Sequence, residues 1–281
     1  DSTPVVVICG QVGIAMLGTD AFQEVDVIGI TSPACKWCYQ IRRAEDVAWA
    51  VSRAFYIARS GRPGPVVLDF AKNAQTGMVD YKPSDVNFIR SYDPYPEIDL
   101  TVIEKAAQMI NDSVKPFALL GQGIELAGAR EEVTALLEKA QIPFGTTILG
   151  LSDMPFDHPL NMGMLGMHGN LGPNVMTNQC DLLLAIGMRF DDRVTGNLST
   201  YAKQAKIIHF DIDPSEFNKN VAIDLAVLGD CKETLVAVTK KVESTQHNSW
   251  IEGFKPYAEK EFHKVIEKSI FPKEGPLLMG E

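Results

Sequence analysis

The chain has 281 residues, 46% of them hydrophobic, and a formal net charge of −10. That length suggests roughly two domains, and the apolar content supplies a core and excludes disorder. The acidic balance argues against nucleic acid and anionic membranes as partners, and no apolar run reaches the roughly 18 residues of a membrane span.

Taken in order, the chain opens on DSTPVVVICGQVG. It has no basic n-region, so it is not a signal peptide; without an initiator Met, and entering a strand almost at once, it looks like part of something longer. Val5–Ile8 reads as a strand, Thr19 or Asp20 as a helix N-cap, and Val25–Ile30 as a second strand. Five scattered cysteines, Cys9, Cys35, Cys38, Cys180 and Cys231, fit a reducing, cytoplasmic compartment. Cys35-Lys36-Trp37-Cys38 is a CxxC, either a redox pair or half a zinc site. No second CxxC exists, no His pair sits at ligand spacing and no βαβ unit frames it, so the reading adopted is two reduced structural thiols.

Apolar positions at helical spacing predict a helix from Ala44 to Ser60, with Gly61 as its C-terminal cap, and Val66–Phe70 is a further strand. Residues 1–80 form one domain on this reading, and the proline-bearing stretch 81–97 is a linker. A second unit, 98–245, follows. Its predicted elements are helix Leu100–Ile110, strand Phe117–Leu120, helix Gly128–Ala140 and a strand near Ile142–Thr147. A loop-like Gly163–Pro173, a short helix at Val175–Gln179 and strands Leu182–Ile186, Ile207–Ile212 and Ala226–Leu228 come next, with a helix from Asp230 to Val242. Strands alternating with helices imply an α/β fold with a doubly wound, mainly parallel sheet. Residues 246–281 resemble a connecting arm.

The stretch LLLAIGMRFDDRVTG, Leu182–Gly196, carries the strongest chemical signal. A buried strand runs into Arg189, Asp191, Asp192 and Arg193, and ligands of open α/β sheets bind at strand carboxyl ends. Guanidiniums can grip phosphates while carboxylates orient them or take hydroxyls. A solvated loop with internal ion pairs is the competing reading. Gly121-Gln122-Gly123 is a weak dinucleotide signal that lacks the third glycine of GxGxxG, and a turn alone explains it equally well. Asp211 could hold a ribose hydroxyl, although Asp-Pro pairs also start turns. Glycines around Met167-His168 permit close approach to a flat ligand. His168 by itself is read as a structural hydrogen-bonder.

GTDAFQE at Gly18–Glu24, GRPGPVVLDFAK at Gly61–Lys72, MLGMHGN at Met164–Asn170, GMRFDDRVTGN at Gly187–Asn197 and IIHFDIDP at Ile207–Pro214 resemble, in order and spacing, the acetolactate synthase (acetohydroxyacid synthase) large subunits. The resemblance covers nearly the whole chain: the end of a pyrimidine-binding domain, a central Rossmann-like domain, and the approach to a diphosphate-binding domain. It implies FAD in the central domain, lined by Arg62, Gly121, Gln122, Gly123, Met167, His168, Arg189, Asp191, Arg193, Val194, Asp211, Ile212 and Asp230. Gln11, Ala21, Phe22, Gln23 and Lys72 match positions near the active-site channel.

The implied activity is condensation of two pyruvates, or pyruvate with 2-oxobutyrate, with loss of CO2, for branched-chain amino-acid biosynthesis. Thiamine diphosphate and Mg2+ serve that chemistry, but the ylid-generating Glu and the magnesium motif have no match here. The chain by itself is therefore expected to bind a nucleotide and to be inactive, with no catalytic residue or metal ligand of its own. A homo-oligomer is implied, and a small regulatory subunit is a further candidate partner. Two departures touch the channel: Gly13 where the family has Pro, and Asn73 where it has Asp. Another thiamine enzyme, such as a flavin-independent acetolactate synthase or pyruvate oxidase, and a stand-alone nucleotide-binding regulatory module are the alternatives.

Overall fold

The computed structural model describes residues 1–267 and divides the chain into two compact units, Asp1–Tyr95 and Pro96 onward. No helix among the described residues is long and apolar enough to cross a membrane.

The first unit is built on a three-stranded parallel sheet: β1 (Val6–Gln11), β2 (Trp37–Ile41) and β3 (Val66–Ala71), in the order β1-β3-β2. Helix α1 (Val27–Thr31) packs near β2 and β3, α2 (Val47–Arg59) covers the sheet with Ala50, Ala54, Ile57 and Ala58, and α3 (Lys72–Thr76) follows β3 directly. The helix expected over 44–60 therefore forms, after a 3-10 turn at Ala44–Asp46.

Two expectations fail here. Val25–Ile30 is not a strand: the Asp26 side chain accepts from the Gly29 amide and starts α1. No helix follows Thr19 or Asp20, because Glu24 folds back onto the amides of Gly18 and Ala21 and closes a turn instead. The strand beside β3 is Trp37–Ile41, so a βαβ unit (β2-α2-β3) does contain the CxxC. Its cysteines lie at the entry to the strand, not at the carboxyl end that leads into the helix.

The second unit carries six parallel strands: β4 (Pro116–Leu120), β5 (Phe144–Thr146), β6 (Asn161–Met164), β7 (Leu182–Ile186), β8 (Lys206–Asp211) and β9 (Leu225–Leu228). Their order is β6-β5-β4-β7-β8-β9. Helices α4 (Leu100–Asn111), α6 (Arg130–Ala140) and α9 (Cys231–Lys241) lie on one face. On the other lie α7 (Leu171–Met176), α10 (Asn248–Glu252) and α11 (Lys255–Glu261).

Alternation explains the two layers. Ala118, Leu120, Leu182, Leu184 and Ile186 feed one core, while Phe117, Leu119, Leu183 and Ala185 feed the other. The unit is a doubly wound α/β fold. The helix expected over 128–140 is two helices, α5 (Gly123–Ala127) and α6, because Gly128 is left-handed at φ 60° and ends the first. The stretch 163–173 is not all loop. Met164 closes β6 and Leu171 opens α7, which places the short helix earlier than Val175. Trp250 and Phe254 of the C-terminal helices are buried in the second core, and Trp250 Nε1 donates to Pro116 O at 2.8 Å.

Candidate nucleotide crevice

Chain direction across the six-stranded sheet reverses between β4 and β7, the first and fourth strands of that unit. Ligands of such sheets sit at this switch point, outside the strand carboxyl ends. The turns after β4 and β7 meet there. The Gly121 amide donates to Ile186 O (3.0 Å) and the Gly123 amide to Gly187 O (2.9 Å). A Cβ on Gly123 would stand 2.6 Å from Gly187 Cα. These glycines are thus required by one turn pressing on the other, whatever binds above them.

The charged run after β7 folds over that seam. Asp191 caps the one-turn helix α8 (Asp192–Thr195), accepting from the amides of Arg193 (3.1 Å) and Val194 (3.2 Å). Its other oxygen lies 3.3 Å from Arg189 Nη2. Arg193 Nη1 contacts Met167 Sδ at 3.5 Å, and the Met167 amide donates to Arg193 O at 2.7 Å. The loop after β6, with exposed Met167 and His168, is therefore held against the loop after β7. Asn174 fixes that loop through reciprocal bonds to Gly166 N and O at 2.8 and 2.9 Å.

On the far side, Asp211 ends β8 and accepts from the Asp213 amide at 2.9 Å. Buried His209 places Nε2 2.7 Å from Met188 O and 3.6 Å from Asp211 Oδ2. Asp230 caps α9 through the Lys232 amide at 2.8 Å. Gly121, Gln122, Gly123, Met167, His168, Arg189, Asp191, Arg193, Val194, Asp211, Ile212 and Asp230 thus all lie at the carboxyl ends of one parallel sheet. Arg62 belongs to the first unit, where its Nε donates to Ser2 Oγ at 3.0 Å.

Two features of the same edge escaped the sequence reading. Ile148 is 68% exposed and Leu149 48% on the turn after β5, an apolar rim beside the crevice. Asp153, on the same loop, is 2% exposed, and neither of its carboxylate oxygens has a hydrogen-bond partner among the described residues. Burial, and then the Glu125 charge, push its carboxyl up to about 7, against the opposing pull of Arg130. An Asp between Ser and Met in a loop reads as solvent-facing, so only tertiary packing reveals its burial.

In the first unit the channel candidates separate. Gln11 is buried: its Nε2 donates to Val25 O (2.8 Å) and Asp69 Oδ2 (3.3 Å). Gln40 donates to the same Asp69 oxygen at 2.6 Å, so Gln11 belongs to a polar layer between β1, β3 and β2. Phe22 and Gln23 are exposed, Ala21 is half-buried, and Lys72 is exposed at the start of α3. Asn73 Oδ1 accepts from the Ile14 amide at 2.8 Å.

Fold and switch-point geometry define a doubly wound α/β class with a crevice at the strand carboxyl ends, and comparison with known proteins specifies the family. Residues 103–238 match the thiamine pyrophosphate enzyme central domain. The chain belongs to the thiamine pyrophosphate enzymes. Within them its relatives are acetolactate synthase large subunits. It is 42% identical to a "Probable acetolactate synthase large subunit" of Methanocaldococcus jannaschii, over 90% of this chain and 44% of that protein. Identity to the Corynebacterium glutamicum large subunit is 40%, over 91% of this chain and 42% of that one. For the Cyanidium caldarium large subunit the figures are 37%, 98% and 49%. The chain spans less than half the length of each of these relatives.

Proposed function

We propose that this chain serves an acetolactate synthase, a transferase joining two pyruvates, or pyruvate and 2-oxobutyrate, to a 2-acetohydroxy acid with release of CO2. The observation that carries the proposal is the 42% identity to an acetolactate synthase relative over 90% of the chain. Thiamine diphosphate, held through Mg2+, supplies the carbon nucleophile in that chemistry. No group of three or more His, Cys, Asp or Glu among the described residues could hold a metal ion, so no step is assigned to these side chains through it.

The crevice is proposed to take FAD. Its donor set fits: two guanidiniums, Arg189 (49% exposed) and Arg193 (69%), stand beside a switch point, and the Asp211 carboxylate stands two strands away from β4. Arg189 and Arg193 would receive the pyrophosphate, Asp211 a hydroxyl of the adenosine half, and Met167-His168 would approach the flat ring. Gly121–Gly123, Asp191, Val194, Ile212 and Asp230, all of the second unit, complete the proposed lining. Gln11, Ala21, Phe22, Gln23 and Lys72 are proposed to face the substrate channel.

Titration calorimetry with ADP and FAD tests the crevice. Charge-assisted bonds contribute on the order of 1.5–3 kcal/mol. Arg189→Ala should weaken binding about tenfold or more, whereas Lys241→Ala, which removes only an exposed pair with Glu104, should leave it unchanged. Equal effects would remove Arg189 from the site. For the activity, the full-length protein should form acetolactate from pyruvate when thiamine diphosphate and Mg2+ are added; no product would overturn the assignment.

A further inference from the structure

The Cys35–Cys38 pair takes no part in the function proposed above. Both thiols are free and half-buried. The chain bends at Lys36, between the extended Cys35 and strand β2, and the Cys38 sulfur is 3.4 Å from Thr31 Oγ1. Both intervening residues are anchored. Lys36 Nζ donates to Ile57 O (2.5 Å), Ser60 O (2.7 Å) and the Tyr92 hydroxyl (3.1 Å), around the C-terminal end of α2. Its amide donates to Pro65 O at 2.8 Å. The Trp37 ring stacks on Tyr39 at 5.3 Å and meets Trp49 edge-on at 6.0 Å, with the Arg53 guanidinium 5.3 Å from its centre. The backbone between the two sulfurs is therefore held from both sides. Bringing the thiols together costs little further ordering, because the fold has already supplied it.

We propose that Cys35 and Cys38 form a thiol–disulfide exchange site, which reacts with a small-molecule disulfide of the glutathione class and closes to an intramolecular disulfide. The Cys38 thiolate attacks one sulfur of that disulfide. The S–S bond breaks, a mixed disulfide forms on Cys38, and one half leaves as a thiol. The Cys35 thiolate then attacks the Cys38 sulfur, and the second half leaves as a thiol. Two cysteine thiols are oxidised to one disulfide, one small disulfide is reduced to two thiols, and the two cysteine protons end on the released thiols.

Cys35 is the resolving sulfur. Burial and the neighbouring Cys38 push its thiol up, which makes it a poor first nucleophile and a poor leaving group once bonded. Closure draws the Cys38 sulfur from Thr31 and ties the 3-10 turn Ser32–Ala34 to β2.

The test uses the intact protein, reduced and then equilibrated in glutathione buffers from reducing to oxidising. Samples are acid-quenched, alkylated and mapped by mass spectrometry. Trypsin cuts after Lys36, so the disulfide would leave two joined peptides that separate on reduction; the first also holds Cys9, and fragment-ion sequencing assigns the bridge to Cys35 or Cys9. The expected result is this joined pair, accumulating with oxidising poise, with Cys180 and Cys231 remaining thiols. In Cys35→Ser, Cys38 should instead carry one glutathione. If Cys35 and Cys38 stay alkylatable at the most oxidising poise, if each carries its own glutathione, or if either pairs with Cys9, the proposal is overturned.

Discussion

Asp153 shows how much one side chain can set the pH response of a fold. In the unfolded chain its carboxyl ionises near 3.8, and in the fold it keeps its proton up to about 7. Between those values the folded form binds more protons, so stability falls as pH rises through that window and is lowest above it. Ionising the buried group costs at most roughly 4 kcal/mol. Asp153→Asn keeps the volume and removes the charge. Its melting temperature should exceed the wild-type value by several degrees at about pH 8 and match it near pH 4. A difference that does not change with pH would mean that the Asp153 carboxylate is hydrated in solution.

At the scale of elements, the two turns at the switch point act as one piece. A methyl on Gly123 would fall 2.6 Å from Gly187 Cα, backbone that cannot step aside. At Gly128 a methyl would meet nothing within 4 Å, and the cost is only that of φ 60°. Gly123→Ala should therefore cost about 3 kcal/mol by overpacking, and Gly128→Ala about 1–2 kcal/mol by backbone strain. Chemical denaturation checks the order, and the reverse order would show that the seam yields.

Elements also mark where the sequence was legible. Leu182–Ile186 is a strand to the residue, because five apolar side chains between Asp181 and Gly187 have no amphipathic face to place. Val25–Ile30 carries the same β-rich composition but turns helical from Val27, because one Asp26 cap outweighs propensity in so short a run. Trp37–Ile41 does alternate, with Trp37, Tyr39 and Ile41 set against Cys38 and Gln40, but the run is short and includes half of the CxxC, and the packing of its aromatics on α2 exists only in the fold. For the site, the motifs at Gly121, Arg189 and Asp211 could be read as sequence. The burial of Asp153 and the apolar rim at Ile148 depend on which loops meet.

For the whole molecule, the first unit leaves β1 at an edge with a largely uncovered surface. Ile8 is 60% exposed, and Val7, Ile14, Met16, Phe22, Val25 and Ile30 are exposed as well. The Val66–Phe70 run lies in the central strand β3, paired on both sides. Association would therefore run through β1 and the apolar residues beside it, and a second copy is the simplest partner. Light scattering at micromolar concentration should give a dimer or larger. Ile8→Lys should shift the mass toward monomer with an unchanged circular dichroism spectrum. A monomeric wild type would end that reading.

The seam between Gly121–Gly123 and Gly187 also has a consequence in time. Its amides bond from strand to strand: Gly121 to Ile186, Gly123 to Gly187, and Gly187 to Phe210. They sit where the two most enclosed strands of the sheet end, so no fraying edge can open them first. Deuterium should enter these positions only when the whole unit unfolds, while the exposed turn at Ile148–Leu151 exchanges through small local openings. The floor of the crevice is then as long-lived as the fold itself, and the proposed ligand would come and go many times over a surface that has not moved.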